Sequence, residues 1–406
     1  MPISDKPDPL PLAPPSSGIS AEFIECFPRW IDLTAAIGKA DRQMPTRFRM
    51  GVDRLLRQLL MADLVSRIGG DDVGLIASTT LPLRALDLEH WSPTLRPGRW
   101  RGPIGAEYAI ARNAFDLDLM LTTLVDTSKG RSPADSAEQG LARVSSAMST
   151  NNNRGLGGLI HYELVRANTV PETGQIYGTI TATPVDANSA SLRQVANKTS
   201  IELDIKPPVK TSPVAQLERA RRPMSGLDLP GFRAPTPLLY PSATQFADKA
   251  CLLTGEPVNS RRSGTMTAPR FKDVFDLWFM TQACSFDWFE LNTALDNNWN
   301  WRRLTDGLPK PYSLFGNRQL TRTVTSKTTN AEPDFQWRAR CRELQKSDRS
   351  LAHYPSFGTM LRDIRDFVDG ASSLANLAQW HPTTGWSNES SPSVPHTVAH
   401  QPRCLS

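Results

Sequence analysis

Apolar and polar positions change period several times along the chain. Phe48, Val52, Leu55, Leu56, Leu59 and Leu64 recur every three to four residues, with Arg47, Arg49, Arg54 and Arg57 between them. This spacing predicts an amphipathic helix over 46–68, stopped by Gly69-Gly70. Its arginines read either as a solvated face or as contacts to a phosphate backbone. A weaker helical pattern precedes it at 19–36. Next, a short apolar run at 74–77 predicts a buried strand leading into Ser78-Thr79-Thr80 at the start of a helical turn. Such a corner offers N–H groups and hydroxyls to an anion, or is an ordinary helix cap. Residues 87–108, rich in Pro, Gly, Trp and Arg, have no period and read as a loop.

The alternation is sharpest in ARNAFDLDLMLTT, 111–123. On an extended chain Arg112, Asp116 and Asp118 share one face, and Phe115, Leu117 and Leu119 the other. A helix over 133–148 follows, then strands at 160–166 and 175–183 joined by a turn at 171–174. A further strand, TSIELDIK at 199–206, alternates Ile201, Leu203 and Ile205 with Glu202 and Asp204. Helical spacing then dominates 242–254, 269–284, 285–304, 333–346 and 359–368.

The pattern predicts a mixed α/β (α+β) fold with a sheet core and a mostly α-helical C-terminal lobe. The expected division is a disordered leader at 1–18, a core domain at 19–210, a Pro-rich basic linker at 211–240, a helical lobe at 241–370 and a disordered tail at 371–406.

Composition adds exclusions. The 406 residues suffice for two domains, while 39% hydrophobic content and 33 prolines assign part of the length to loops and tails. No apolar run reaches membrane-spanning length, and the N-terminus lacks a signal-peptide pattern, so a cytoplasmic protein is expected. The five scattered cysteines form no C-x-x-C pair, which argues against a disulfide framework or a zinc site. A net charge of +5 allows a polyanionic partner without requiring one.

Asp116 and Asp118 are the first candidates for chemistry. Two carboxylates aimed at one spot repel each other, which a proton or a cation such as Mg²⁺ relieves; solvated acids on an edge strand are the alternative. Asp204 joins them if its strand pairs beside theirs. On the 242–254 helix Gln245, Asp248 and Lys249 share one side, and on the next Arg270, Lys272, Asp273 and Asp276 stay polar.

In this order R-x-x-x-D-x-D-L (Arg112, Asp116, Asp118), the strand ending D-I (Asp204), QFADKACLL (Lys249) and RFKDVFDL (Lys272, Asp273) resemble the AbiEii/MenT nucleotidyltransferase toxins of bacterial type IV-like toxin–antitoxin systems. The resemblance spans 46–367 and implies a nucleotidyltransferase-fold core. It implies Asp116, Asp118 and Asp204 as ligands of Mg²⁺ (Mn²⁺ as a substitute) and as catalytic residues together with Asp273. Ser78, Thr79, Arg112, Lys249 and Lys272 would bind the nucleotide. The implied substrates are an NTP and an RNA acceptor, the tRNA 3′ end in particular, and the implied partner is a cognate antitoxin, in a growth-arrest or phage-defence setting. One departure stands out: the family's Gly-Gly-Thr or Gly-Ser corner is here Ala77-Ser78-Thr79-Thr80, and the missing glycines limit backbone approach to a triphosphate. The competing readings are a nucleotidyl- or phosphotransferase acting on protein or a small molecule, and a degenerate nucleotide- or partner-binding protein.

Overall fold

The computed structural model describes residues 18–43, 49–69, 73–75, 80–84, 116–121, 133–149, 153–170, 175–185, 199–206, 217–220, 227–254, 271–306, 354–372, 378–382 and 384–387, with 46, 223, 224, 343 and 346. Of the predicted helix at 333–346 only residues 343 and 346 are described, both helical.

After β1 (Gly18–Ile19), the first helical pattern divides into α1 (Ala21–Cys26) and α2 (Trp30–Gln43). Pro28 lies at the break, where its ring and missing N–H disfavour a continuous helix. Asp41 Oδ1 accepts hydrogen bonds from the N–H groups of Met50 (2.9 Å) and Gly51 (3.0 Å), tying the end of α2 to the entry of α3 (Val52–Ile68). Gly51, at φ 84°, makes the turn a side chain would strain.

The helix α3 is not a half-solvated element as its arginines suggested. It is buried almost all round from Leu59 to Val65, and Arg54 and Asp63 are buried with it. Asp63 is locked in place: its Oδ2 accepts from Arg67 Nε (3.1 Å), Tyr162 O–H (3.0 Å) and Leu156 N–H (3.3 Å). A side chain at Gly155 would collide with this latch, its Cβ falling 2.1 Å from Tyr162 and 2.6 Å from Asp63.

The main sheet joins β2 (Val73–Leu75), β3 (Asp116–Leu121), β4 (Arg154–Gly155), β5 (Ile160–Val170), β6 (Gln175–Pro184), β7 (Thr199–Lys206), β8 (Glu218–Arg219) and β10 (Leu238–Leu239). Its order is β4-β5-β6-β7-β3-β2-β10-β8. The strands β5, β6 and β7 run antiparallel, β7 and β3 parallel, β3 and β2 antiparallel, and β2 and β10 parallel. The helices α3 and α5 (Pro133–Ser149) pack against it, whereas the short α4 (Leu81–Arg84) follows the β2 corner.

The Pro-rich stretch expected to serve as a linker is instead stitched to the sheet. It supplies β8 and β10, and β9 (Phe232–Arg233), which pairs with β1. Proline lacks a donor but keeps its acceptor, and the Pro237 and Pro235 carbonyls accept from Ala220 N–H (2.9 Å) and Met224 N–H (2.8 Å).

The later helices are α6 (Ser242–Thr254), α7 (Phe271–Ala283), α8 (Trp288–Asp306) and α9 (Phe357–Ser372). Their aromatic side chains cluster: Phe367 meets Phe246, Phe286, Trp380 and Trp386 at centroid distances of 4.8–5.2 Å. Part of the expected disordered tail is ordered. Strands β12 (Gln379–His381) and β13 (Gly385–Ser387) form a hairpin beside β11 (Phe286–Asp287). Two tryptophans pin it, Trp380 Nε1 donating to the Thr281 carbonyl (2.8 Å) and Trp386 Nε1 to that of Phe367 (2.6 Å). No helix among the described residues is long and apolar enough to cross a membrane.

Candidate active site

The period of two in β3 buries Leu117 and Leu119 on one side of the sheet and projects Asp116 and Asp118 from the other. Asp116 is exposed at the strand's start, whereas Asp118 is 6% exposed. The parallel neighbour β7 is registered with Glu202 opposite Asp116 and Asp204 opposite Asp118. Directly paired residues of adjacent strands project to the same side, with the strands about 4.8 Å apart. Four carboxylates therefore share one face.

Two of the four are held by β6. Gln175 Nε2 donates to Asp204 Oδ1 at 2.8 Å, and Thr179 Oγ1 donates to Glu202 Oε2 at 3.1 Å. Arg57 of α3 donates to the Ser200 carbonyl at 2.7 Å. Burial draws its guanidinium pKa down, and the charges of Asp53 and Asp116 oppose that shift. Thus Arg57, half-buried, is pinned beside the β3–β7 pair.

The β2 corner and α6 reach the same edge of the sheet. Strand β2 ends with Leu75 opposite Leu119, the neighbour of Asp118. Strand β10, parallel to β2, ends with Leu239 opposite Leu75, and Tyr240 N–H donates to the Leu75 carbonyl at 2.9 Å. Helix α6 begins immediately afterwards. Ser78, Thr79 and Arg112 lie outside the described residues. Thr80, fully buried, is described, and its hydroxyl donates to Gln245 Oε1 of α6 at 2.6 Å. That bond fastens the corner to α6 one turn before Lys249.

The Lys249 ammonium, 8% exposed, meets two carboxylates of α7: Asp276 Oδ2 at 2.8 Å and Asp273 Oδ1 at 3.2 Å. Asp276 has no exposed surface and Asp273 is 9% exposed. The spacing i, i+3 puts both acids on one helix face. Lys272, one residue before Asp273, is exposed and not part of this cluster.

The structure thus brings Asp116, Asp118 and Asp204 to one sheet face and joins Lys249 to Asp273. Sequence reasoning passed over Thr80, Glu202, Gln245 and Asp276 as site residues. The D-x-x-D spacing of α7 and the E-x-D spacing of β7 were visible signals for two of them. The other two required knowing that the corner packs on α6.

A divalent cation fits this donor set. Mg²⁺ commonly takes one or two protein carboxylates and completes its shell with substrate phosphates and water. Asp118 and Asp204, in register on adjacent strands, supply such a pair. Among the described residues no three His, Cys, Asp or Glu side chains converge as a preformed metal cage.

The model of a family described as nucleotidyl transferase AbiEii toxin, type IV TA system, matches residues 108–363. Among solved structures, the chain is similar to MenT4, a nucleotidyltransferase toxin from Mycobacterium tuberculosis H37Rv, at 11% identity and a TM-score of 0.45, with 84% of this chain and 90% of that one covered. No curated protein matches the sequence.

Proposed function

Since the chain belongs to the AbiEii family of nucleotidyltransferase toxins, we propose that it transfers a nucleoside monophosphate from an NTP to an RNA acceptor in a Mg²⁺-dependent reaction. The expected acceptor is the 3′ end of tRNA, and the expected partner is an antitoxin that restrains the activity. The observation that carries this reading is the register of Asp118 with Asp204 on parallel strands, beside the end of β2.

In this reaction an acceptor hydroxyl attacks the α-phosphorus of the NTP. The new bond is oxygen to phosphorus, the bond broken is that to the bridging oxygen, and pyrophosphate departs. Negative charge builds on the attacking, leaving and non-bridging oxygens. A bound Mg²⁺ would neutralise part of that charge. Asp118 and Asp204, with Asp116 at the mouth, would hold it. Asp204 also accepts the proton of the attacking hydroxyl, directly or through water.

The departing pyrophosphate needs a cation and hydrogen-bond donors. Lys249 is the assigned cation, held by Asp273 and Asp276, and Ser78 and Thr79 are the assigned donors. Arg112, four residues before Asp116, is the assigned guanidinium clamp. In this reading the sheet is the catalytic platform and the 241–370 lobe carries the phosphate-binding lysine. Lys272 is at most a peripheral contact, given its exposure.

The test is incubation of purified protein with Mg²⁺ and each labelled NTP in turn, against total tRNA and, separately, total protein. Label in the tRNA fraction that disappears with Asp118→Asn supports the reading. Label confined to protein, or insensitive to that substitution, refutes it.

A further inference from the structure

We propose that a second cleft, at the far end of α3 from the carboxylates, binds a nucleotide through its phosphate. The cleft holds about 560 Å³, within the range of small-molecule sites. It lies between β1, α1, the last turn of α3, the β4 turn and β9. Three guanidinium side chains line it, Arg67, Arg154 and Arg233, against one carboxylate, that of Asp63.

One oxygen of that carboxylate, Oδ2, is taken by Tyr162, Leu156 N–H and Arg67. Burial pushes its pKa up, against the opposing pull of Arg67. Arg67 is fixed by Asp63 and by the Arg154 carbonyl. Arg154 and Arg233 are exposed, and among the described residues neither side chain has a partner. Two guanidiniums therefore await an anion, and a planar fork with several donors suits phosphate oxygens.

The remaining walls suit the rest of a nucleotide. Ile24 and Phe232 form an apolar side, against which a base or sugar can rest. Gly158, at φ 103°, has open space where a Cβ would stand, so a ligand can meet backbone there.

Position sharpens the assignment. Arg57, at the carboxylate end, and Arg67, at the cleft, are ten residues apart on α3. That is about 15 Å along the helix axis. Phosphates recur about every 3.4 Å along a stacked strand. Ten residues of α3 match the rise of about four or five stacked nucleotides, so an acceptor strand longer than that is one source of the phosphate. A free mononucleotide offers the same chemistry, and the experiment separates the two sources. Only the choice of source rests on the reading of the previous section.

Binding is measured on the full chain in EDTA without triphosphate, so the result is independent of transfer. Calorimetry follows 5′-AMP, and fluorescence anisotropy follows a labelled single-stranded oligoribonucleotide. The variants are Arg154→Ser/Arg233→Ser, which removes the charge, and Ile24→Trp, which fills the cleft. Unchanged thermal unfolding confirms that each is folded.

The expected result is that both variants weaken binding by more than about tenfold, as loss of charged hydrogen bonds predicts. Loss for the oligonucleotide, with or without AMP, assigns the cleft to the acceptor strand; loss for AMP alone assigns it to a free nucleotide. Affinities unchanged by the arginine pair, or sensitive to that pair but not to Ile24→Trp, overturn the proposal. The second of these patterns would reveal diffuse surface charge.

Discussion

Two buried charge clusters, at Asp63 and at Lys249, solve the same problem differently. At Asp63 one carboxylate faces one guanidinium, and its Oδ2 also accepts from a tyrosine hydroxyl and a backbone N–H. At Lys249 one ammonium meets two buried carboxylates. The first arrangement fastens α3 to the β4–β5 hairpin. The second holds a lysine one turn beyond the Gln245 that accepts from Thr80 at the β2 corner. The first is a joint of the fold, whereas the second carries the lysine that the proposed function assigns to the phosphates.

The largest contrast is expected in activity. Asp118→Asn should lower transfer of labelled nucleotide by at least about a hundredfold, the scale of losing a group that stabilises transition-state charge. Asp63→Asn should leave the turnover of the folded fraction unchanged at saturating acceptor. Equal losses in both would erase the distinction between joint and site.

Stability sharpens the comparison next. Lys249→Met strands two buried carboxylates and should cost about 3–5 kcal/mol in urea unfolding. Adding Asp276→Asn should recover part of that stability and none of the activity. A double variant as unstable as the single one would argue that Lys249 supports the fold by packing alone. Tyr162→Phe removes one of three donors to Asp63 and should cost about 1–3 kcal/mol, with transfer intact.

The pH dependence has a definite sign. The folded Asp63 carboxyl lies above its ordinary value of 3.8, with desolvation the largest cause. As pH rises from 3.8 through the folded value, the native state retains the proton that the unfolded state has lost. Stability from this group is therefore fully present below 3.8 and declines across that window. The melting temperature of Asp63→Asn relative to the parent should accordingly rise over the same interval. A difference that stays flat would remove Asp63 as the titrating group. The smallest effect belongs to Lys272→Ala on α7: its exposure predicts a change within about 0.5 kcal/mol.

Much of the architecture was legible because local patterns report local structure. Alternation in TSIELDIK and DLDLML located β7 and β3, and the spacing of Met360, Ile364 and Phe367 located α9, where all three are buried. The misreadings came from long-range contacts. The arginines of α3 resembled a surface stripe, yet Arg54 is buried and Arg57 is bonded to the start of β7. The Pro-rich 211–240 stretch resembled a linker, yet its carbonyls and two-residue strands extend sheet pairing. The Ser- and Pro-rich tail concealed a hairpin whose two tryptophans find backbone acceptors on α7 and α9.

Within the candidate site the same boundary holds. Sequence by itself determined that Asp116 and Asp118 share a face, because side chains alternate with a period of two whatever lies beside the strand. It also determined that Asp273 and Asp276 share one, because a helix repeats every three to four residues. Only the tertiary structure decided that β7 lies parallel to β3 with Asp204 opposite Asp118, and that Lys249 points into the α7 acids. The physical reason is that periodicity fixes a side chain's direction from its immediate neighbours. Which distant residue it faces depends on strand order, register and helix packing, set by burial across the whole chain.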